Sequence, residues 1–360
     1  MSIILKSGGI TMTNETAPKF SQPKRKPFNE EVADRLVEQI KSGTAPWQKP
    51  WEPGEEVLPH NASTGNRYKG FNAVWLMAQG RSDSRWLTYK QAQEMGAQVR
   101  GGEQGTTIQY WKFDDTRAKK DEQGRIIKGS DGKTVYETYR LEKPRAFFAT
   151  VFNAEQMDGL PPLVKNPQDW DPLKRAEGIL EATGARIMNK AGDEAYYSPP
   201  RDIIVLPERY QFKERSSYYA TALHEIGHWT GHSSRLDRDL SHPFGSDGYA
   251  KEELRAEIAS MILGADVGTG HDPSRHAAYV GSWIKAIRDD PNVLQRAASD
   301  AEKIVTFVMD LEQKRNQSIA LAGTHTAAMK VSLQHSGQMG DGWSGPERVL
   351  TRSNDREMII

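Results

Sequence analysis

His224-Glu225-Ile226-Gly227-His228 decides how this chain is to be read. Tyr219, Leu223 and Ile226 give the surrounding segment an apolar stripe at helical spacing. Ser216 or Ser217 is placed to cap it, and Gly231 to end it. The spacing predicts a helix over about residues 216–231. In such a helix His224 and His228 are i and i+4, so both imidazoles leave one face and can share one metal ion. Glu225 follows the first histidine and reaches a metal-bound water as the general base. The plainer reading is an ordinary helix with a chance pair of histidines. The next helix weighs against it by offering a third ligand.

That helix is predicted around 249–264, with Leu254, Ile258, Met261 and Ile262 as its core face. Glu253 and Glu257 are i and i+4 on it. Two like charges at this spacing destabilise a bare helix by about 0.2–0.5 kcal/mol, a sign that a nearby cation reverses. We expect Glu253 to be the third metal ligand and Glu257 to orient a ligand histidine from behind. The exchange of these two roles stays open, as does a pair of solvated carboxylates beside Lys251 and Arg255. A metzincin site would need a third histidine where this chain has Ser234, so the gluzincin pattern of two histidines and a distant glutamate fits better. With no cysteine in the chain, the ligands must be imidazole and carboxylate. One divalent ion is expected, zinc first and manganese as the alternative. Asp202-Ile203-Ile204-Val205-Leu206 would be the strand that flanks the cleft and pairs with an extended peptide. Tyr279 is either a phenol aimed at a developing oxyanion or a core tyrosine stacked with Trp283.

The 360 residues suggest two domains. Lys plus Arg and Asp plus Glu are both 48, which excludes a globally basic coat or an acidic tail. The absence of cysteine excludes disulfides and suits a reducing compartment. No signal peptide and no run of ~20 apolar residues stands out. The expected setting is cytoplasmic, with no membrane partner. The fold class is expected to be α+β. Residues 1–27 read as a disordered leader, 28–158 as a first domain and 159–170 as a linker. Residues 171–315 read as the metallopeptidase-type domain and 316–360 as a disordered tail. Residues 114–133 read as a hairpin tip or a mobile insertion.

The first domain is aromatic and locally basic. Nine rings fall between Trp47 and Trp111, and seven basic residues face three acidic ones between 60 and 112. Rings interleaved with cations suit single-stranded nucleic acid, whose bases stack while its phosphates pair. Trp47, Trp51, Arg67, Tyr68, Lys69, Asn72, Trp75, Trp86 and Lys90 are the candidate contacts. A small tryptophan-rich core with a basic rim remains the alternative.

The two halves together resemble the ArdC-type anti-restriction proteins of conjugative plasmids. The first half matches in Pro46-Trp47 with Pro50-Trp51, in Tyr68-Lys69-Gly70-Phe71-Asn72, in Trp86 to Ala92 and in Val151-Phe152-Asn153. It resembles a single-stranded-DNA-binding domain also found at the start of TraC-type primases. The second half matches in Ala195-Tyr196-Tyr197, His224 to His228, Glu252-Glu253-Leu254, Ala256-Glu257 and Ala278-Tyr279. It resembles the family's gluzincin-like metallopeptidase domain. The resemblance implies single-stranded-DNA binding and protection of incoming plasmid DNA, with a host restriction component or another DNA-bound protein as partner. It leaves two other classes open. One is a regulatory metalloprotease with no nucleic-acid role. The other is a DNA-binding decoy on a silent zincin scaffold.

Overall fold

The computed structural model describes residues 26–163, 171–273 and 279–337. Most of the expected leader, linker residues 164–170 and the end of the expected tail lie outside the described residues. The chain folds as two α+β domains. Helices α1 (Phe28–Lys41), α2 (Gly70–Met77) and α3 (Tyr89–Glu94) belong to the first. Its strands are β1 (His60–Asn61), β2 (Arg85–Thr88), β3 (Gln98–Val99), β4 (Thr106–Ala118), β5 (Tyr136–Asn153) and β6 (Met157–Asp158). The second domain holds α4 (Pro172–Thr183), β7 (Arg186–Lys190), β8 (Tyr196–Ser198) and β9 (Ile203–Pro207). Helices α5 (Arg215–Trp229), α6 (Asp247–Val267), α7 (Val280–Asp289) and α8 (Val293–Gly337) follow.

In the first domain the main sheet runs β1-β2-β5-β4, with β1 and β2 parallel and the other pairs antiparallel. Strands β4 and β5 make a long hairpin, whose far half is the charged stretch 114–133. The second sheet runs β7-β9-β8. Helix α4 has the boundaries its sequence signals require. Asp171 accepts from the amides of Leu173 and Lys174, Pro172 opens the helix, and Gly184 ends it at φ 65°. One start signal differs from expectation. Helix α5 begins at Arg215, and no side chain caps it, so Ser216 and Ser217 are helical residues. Helix α8 runs through Gly337 rather than ending near residue 315. Between 316 and 337 the sequence has Ala320, Ala322, Ala327 and Ala328 and only two glycines, one of them the last residue. Alanine-rich sequence of that kind favours a helix over a tail.

The two domains meet through a shared core. Leu36, Trp47, Phe71 and Trp75 of the first half share one core with Ile204, Leu223, Leu254, Trp283 and Val305 of the second. Helix α1 packs on α7, and α2 on α8. Arg67 places both terminal nitrogens 3.0 Å from the Glu302 carboxylate across this seam. The segment after Trp47 bridges to the loop after α6. Trp51 and His271 exchange backbone hydrogen bonds of 3.1 and 3.0 Å, and the Gly54 amide donates to the Gly268 carbonyl. Gly270 permits this approach. It has φ 78°, and a Cβ there would lie 2.3 Å from the Trp51 carbonyl oxygen. Gly270→Ala should therefore destabilise the protein by roughly 3 kcal/mol or more, adding a clash to the ~1–2 kcal/mol of a left-handed alanine. Gly184→Ala, left-handed but in open space, should cost only that smaller amount. Urea unfolding of both variants checks the difference, and equal costs would remove the seam from the explanation.

Candidate metal centre

Helices α5 and α6 cross where Gly227 meets Ala256. A Cβ on Gly227 would sit 3.3 Å from the Ala256 Cα and Cβ, so only a small pair allows this spacing. The close crossing brings three carboxylates of α6 against the two histidines of α5. His224, Glu225, Glu252, Glu253 and Glu257 are all buried.

The Nε2 atoms of His224 and His228 face each other at 3.1 Å. Glu253 lies across from both, with Oε2 3.6 Å from His224 Nε2 and Oε1 3.4 Å from His228 Nε2. The three ligand atoms lie within 4.8 Å of one another. A tetrahedral ion with bonds of ~2.0–2.1 Å spaces its ligands at about 3.3 Å. The donor set and its spacing fit one divalent ion.

Behind this front each histidine has its own carboxylate. His224 Nδ1 lies 3.1 Å from Glu257 Oε2, and His228 Nδ1 lies 3.4 Å from Glu252 Oε1. An Nδ1–H directed at a carboxylate leaves the Nε2 lone pair for metal and fixes the ring plane. Glu252 is held in turn by Arg238, whose Nη2 stands 2.7 Å from Glu252 Oε1 and 2.7 Å from the Gly227 carbonyl. One arginine thus ties both helices together. Sequence reasoning assigned Glu257 its place behind a histidine but gave Glu252 no role. The signal was present. Glu252 and Glu257 flank the Glu253 position by one and four residues, so they can back the same site from two sides of the helix.

The charges of the two imidazoles and the glutamates around them are strongly coupled. Burial opposes charge on both imidazoles, yet the surrounding glutamates hold His224 well above the usual histidine range and His228 above it. Burial pushes Glu252 and Glu253 the other way, but neighbouring cations hold each at about 2. For Glu252 these are His228 and Arg238, and for Glu253 the two histidines. Both carboxylates are therefore ionised near neutral pH.

The site opens into a cavity of about 220 Å³, lined by Glu225, Tyr196, Tyr197, Tyr249 and Tyr279 among others. Tyr279 packs near Trp283 and also reaches the cavity. Its ring lies 6.1 Å from that of Trp283, and its residue borders the cavity. Its hydroxyl is 3.4 Å from that of Tyr249. Burial, with Glu253 nearby, raises both phenol pKa values, so both stay protonated as donors. Tyr249 was missed, although it precedes Glu253 by one helical turn. The substrate strand also needs correcting. The expected strand, β9, is the middle strand, paired on both sides by β7 and β8. It has no free edge for a peptide. The short β8 pairs with β9 alone, and its Tyr196 and Tyr197 line the cavity.

The nine expected DNA contacts do not form one surface. Trp47 is fully buried, edge-on to Trp283 at 6.5 Å. Trp75 and Trp86 are also core residues, and the Trp75 indole donates to the Thr107 carbonyl. None of these three rings can stack on a base. Asn72 is engaged with both backbone groups of Gln109, and Arg67 with Glu302. Trp51 and Tyr68 are half-buried, Lys69 is exposed, and Lys90 is exposed beside Glu94. A cluster of exposed rings lies elsewhere, on the β4–β5 hairpin: Tyr110, Trp111, Phe113, Phe147 and Phe148. Tyr110 and Phe147 pair across the strands and stack at 5.4 Å and 15°. Lys112 and Arg145 form the next pair on that face, both beside Asp115. The missed signal was adjacency. Neighbouring aromatics in a strand point to opposite faces, and a projecting hairpin cannot cover both.

Comparison with known proteins agrees with this division. Residues 26–152 match the N-terminal domain of anti-restriction factor ArdC, and residues 174–300 match a zincin-like metallopeptidase family. A DNA primase TraC of Escherichia coli is 61% identical over 316 residues, covering 85% of this chain and 22% of the primase. A second TraC primase from the same species is 62% identical over 81% of this chain and 28% of its own length. The chain thus spans about a quarter of the length of these primases. The metal-free crystal structure of the antirestriction ArdC protein from plasmid R388 superposes with a TM-score of 0.62. It is 36% identical and covers 80% of this chain and 98% of its own. The Mn(II)-bound structure of that protein gives 0.59 at 34% identity, over 79% and 98%.

Proposed function

Because this chain belongs to the ArdC anti-restriction family, we propose that it protects incoming plasmid DNA from restriction during conjugation. In this reading it binds single-stranded DNA in the cytoplasm and carries a metal-dependent peptidase site. The observation that carries the second part is the convergence of His224, His228 and Glu253 beside Glu225 in one cavity. Among the described residues no helix is long and apolar enough to cross a membrane.

His224, His228 and Glu253 would hold one divalent ion, zinc or manganese. When bound, such an ion supplies Lewis-acid polarisation and a more acidic water. Glu257 and Glu252 hold the two rings so that each Nε2 faces inward. Glu225 accepts the proton of the attacking water and delivers it to the leaving amine. Tyr249 and Tyr279, kept protonated, donate to the oxygen on which negative charge develops. The edge of β8 offers backbone groups to an extended peptide. The natural substrate in this reading is a protein met on DNA, with a host restriction component as the candidate.

For the DNA, the support moves from the buried tryptophans to the hairpin. Tyr110 and Phe147 present stacked exposed rings, with Lys112 and Arg145 one rung further along. The chain should prefer single strands to duplex, and salt should weaken binding as phosphate contacts release counterions. The double variant Tyr110→Ala, Phe147→Ala should lose about 1–3 kcal/mol for each base stacked there. A gel shift with a labelled oligonucleotide measures this, and survival of transferred plasmid in a restricting host should fall in parallel. Unchanged affinity would remove the hairpin from the DNA reading, and equal wild-type affinity for duplex and single strand would remove stacking altogether.

A further inference from the structure

His271 stands in the loop after α6, a part of the fold for which the reaction above has no use. Its side chain is buried, and its Nε2 makes two contacts. One is to the Trp47 carbonyl oxygen at 2.9 Å, and the other to Glu257 Oε1 at 3.1 Å. A carbonyl oxygen only accepts, so Nε2 carries the hydrogen and donates it to Trp47, with the Glu257 carboxylate in close polar contact beside it. The other oxygen of Glu257 faces His224 Nδ1. A continuous path therefore runs from the backbone of the N-terminal segment, through His271 and Glu257, to a ligand histidine.

The loop that carries His271 has little freedom. Its backbone is paired with Trp51 on one side. A Cβ at Gly264 of α6 would lie 2.1 Å from the Gly270 carbonyl, and one at Gly270 would lie 2.3 Å from the Trp51 carbonyl. The loop is clamped between α6 and residues 51–54. Trp47 is fixed in turn by its ring against Trp283, whose indole donates to the Ala250 carbonyl of α6.

We propose that His271 is a positioning residue of the metal centre, through which the N-terminal segment 46–51 sets Glu257 and hence the His224 ring. The centre is then built by both halves of the chain, and seating of the first domain governs how well the second holds its ion. This rests on the metal reading given above.

Full-length wild type, His271→Leu and His271→Gln should be titrated with zinc against a chromogenic chelator. Their thermal unfolding should be recorded in EDTA. Loss of the His271 donor should weaken zinc binding about 10–100-fold, the usual effect of a partner behind a ligand histidine. Glutamine carries an N–H at nearly the same reach and should restore most of the affinity. The cobalt(II) absorption spectrum should shift in His271→Leu and return in His271→Gln, which a purely structural role does not predict. If the leucine variant does not fold, His271→Asn replaces it, since its shorter amide falls short of Glu257. A folded donor-free variant with wild-type affinity and spectrum overturns the inference. So does a glutamine variant as weak as leucine. A wild type that takes up no ion overturns the metal reading and this inference together.

Discussion

His224→Ala, His228→Ala and Glu253→Ala each leave the protein without stoichiometric metal. Every one of these changes removes one of the three ligands that, among the described residues, converge within 4.8 Å. The loss of affinity should exceed the ~10–100-fold seen for partners behind the ligands. Glu257→Ala and Glu252→Ala should fall within that smaller range, because their oxygens face Nδ1 rather than Nε2. Elemental analysis after dialysis reads the first group, and chelator competition reads the second. Thermal stability gives an independent readout. With free ion at a hundred times Kd, binding stabilises the native state by about 2.7 kcal/mol, so EDTA should lower the wild-type melting temperature and leave the ligand variants unmoved. An emptied site in Glu257→Ala beside a filled one in Glu253→Ala would exchange the two roles, as the sequence alone allowed.

What the sequence made legible was local. The histidine spacing, the helix that carries it and the glutamates one turn apart on the following helix each depend on residues within a few turns of one another. Backbone geometry converts such patterns into faces without knowledge of the rest of the fold. The unread parts depend on distance along the chain. His271 is a lone histidine in a loop, and its role follows from a carbonyl 224 residues earlier. Arg67 was read as a phosphate contact because Glu302, 235 residues away, could not be placed beside it. Trp47, Trp75 and Trp86 carry the same composition signal whether they stack on bases or fill a core, and only burial separates the two. The three-residue strand Tyr196–Ser198 is too short for its period-two pattern to stand out. Local reading also could not place the two halves against each other. Their shared core means that a fragment cut near residue 158 would expose Leu36, Trp47, Phe71 and Trp75. The intact chain is therefore the proper object for binding and protection assays.

Glu225→Gln should keep the metal and abolish hydrolysis. The substitution preserves size and burial, and Glu225 is not among the three converging ligands. It removes the proton acceptor, a loss worth about 10²–10⁴ in rate for general acid–base catalysis. Metal content by elemental analysis and cleavage of a denatured protein substrate read the two effects separately. Single-strand affinity should not change, because Glu225 lines the metal cavity while the exposed rings stand on the hairpin of the other domain. That separation gives the variant its value in plasmid transfer. If a restricting host destroys plasmid carried with Glu225→Gln but spares plasmid carried with wild type, protection proceeds by proteolysis. If the variant protects as well as wild type, DNA occupancy is the active principle and the zincin domain serves as scaffold. Tyr110→Ala, Phe147→Ala in the same assay gives the complementary result. Loss of protection there, with metal and cleavage intact, would show that the peptidase acts only on what the DNA-binding face brings to it. A wild type with metal but no cleavage of any protein, beside full protection by Glu225→Gln, would sink the hydrolytic reading while leaving the DNA reading in place.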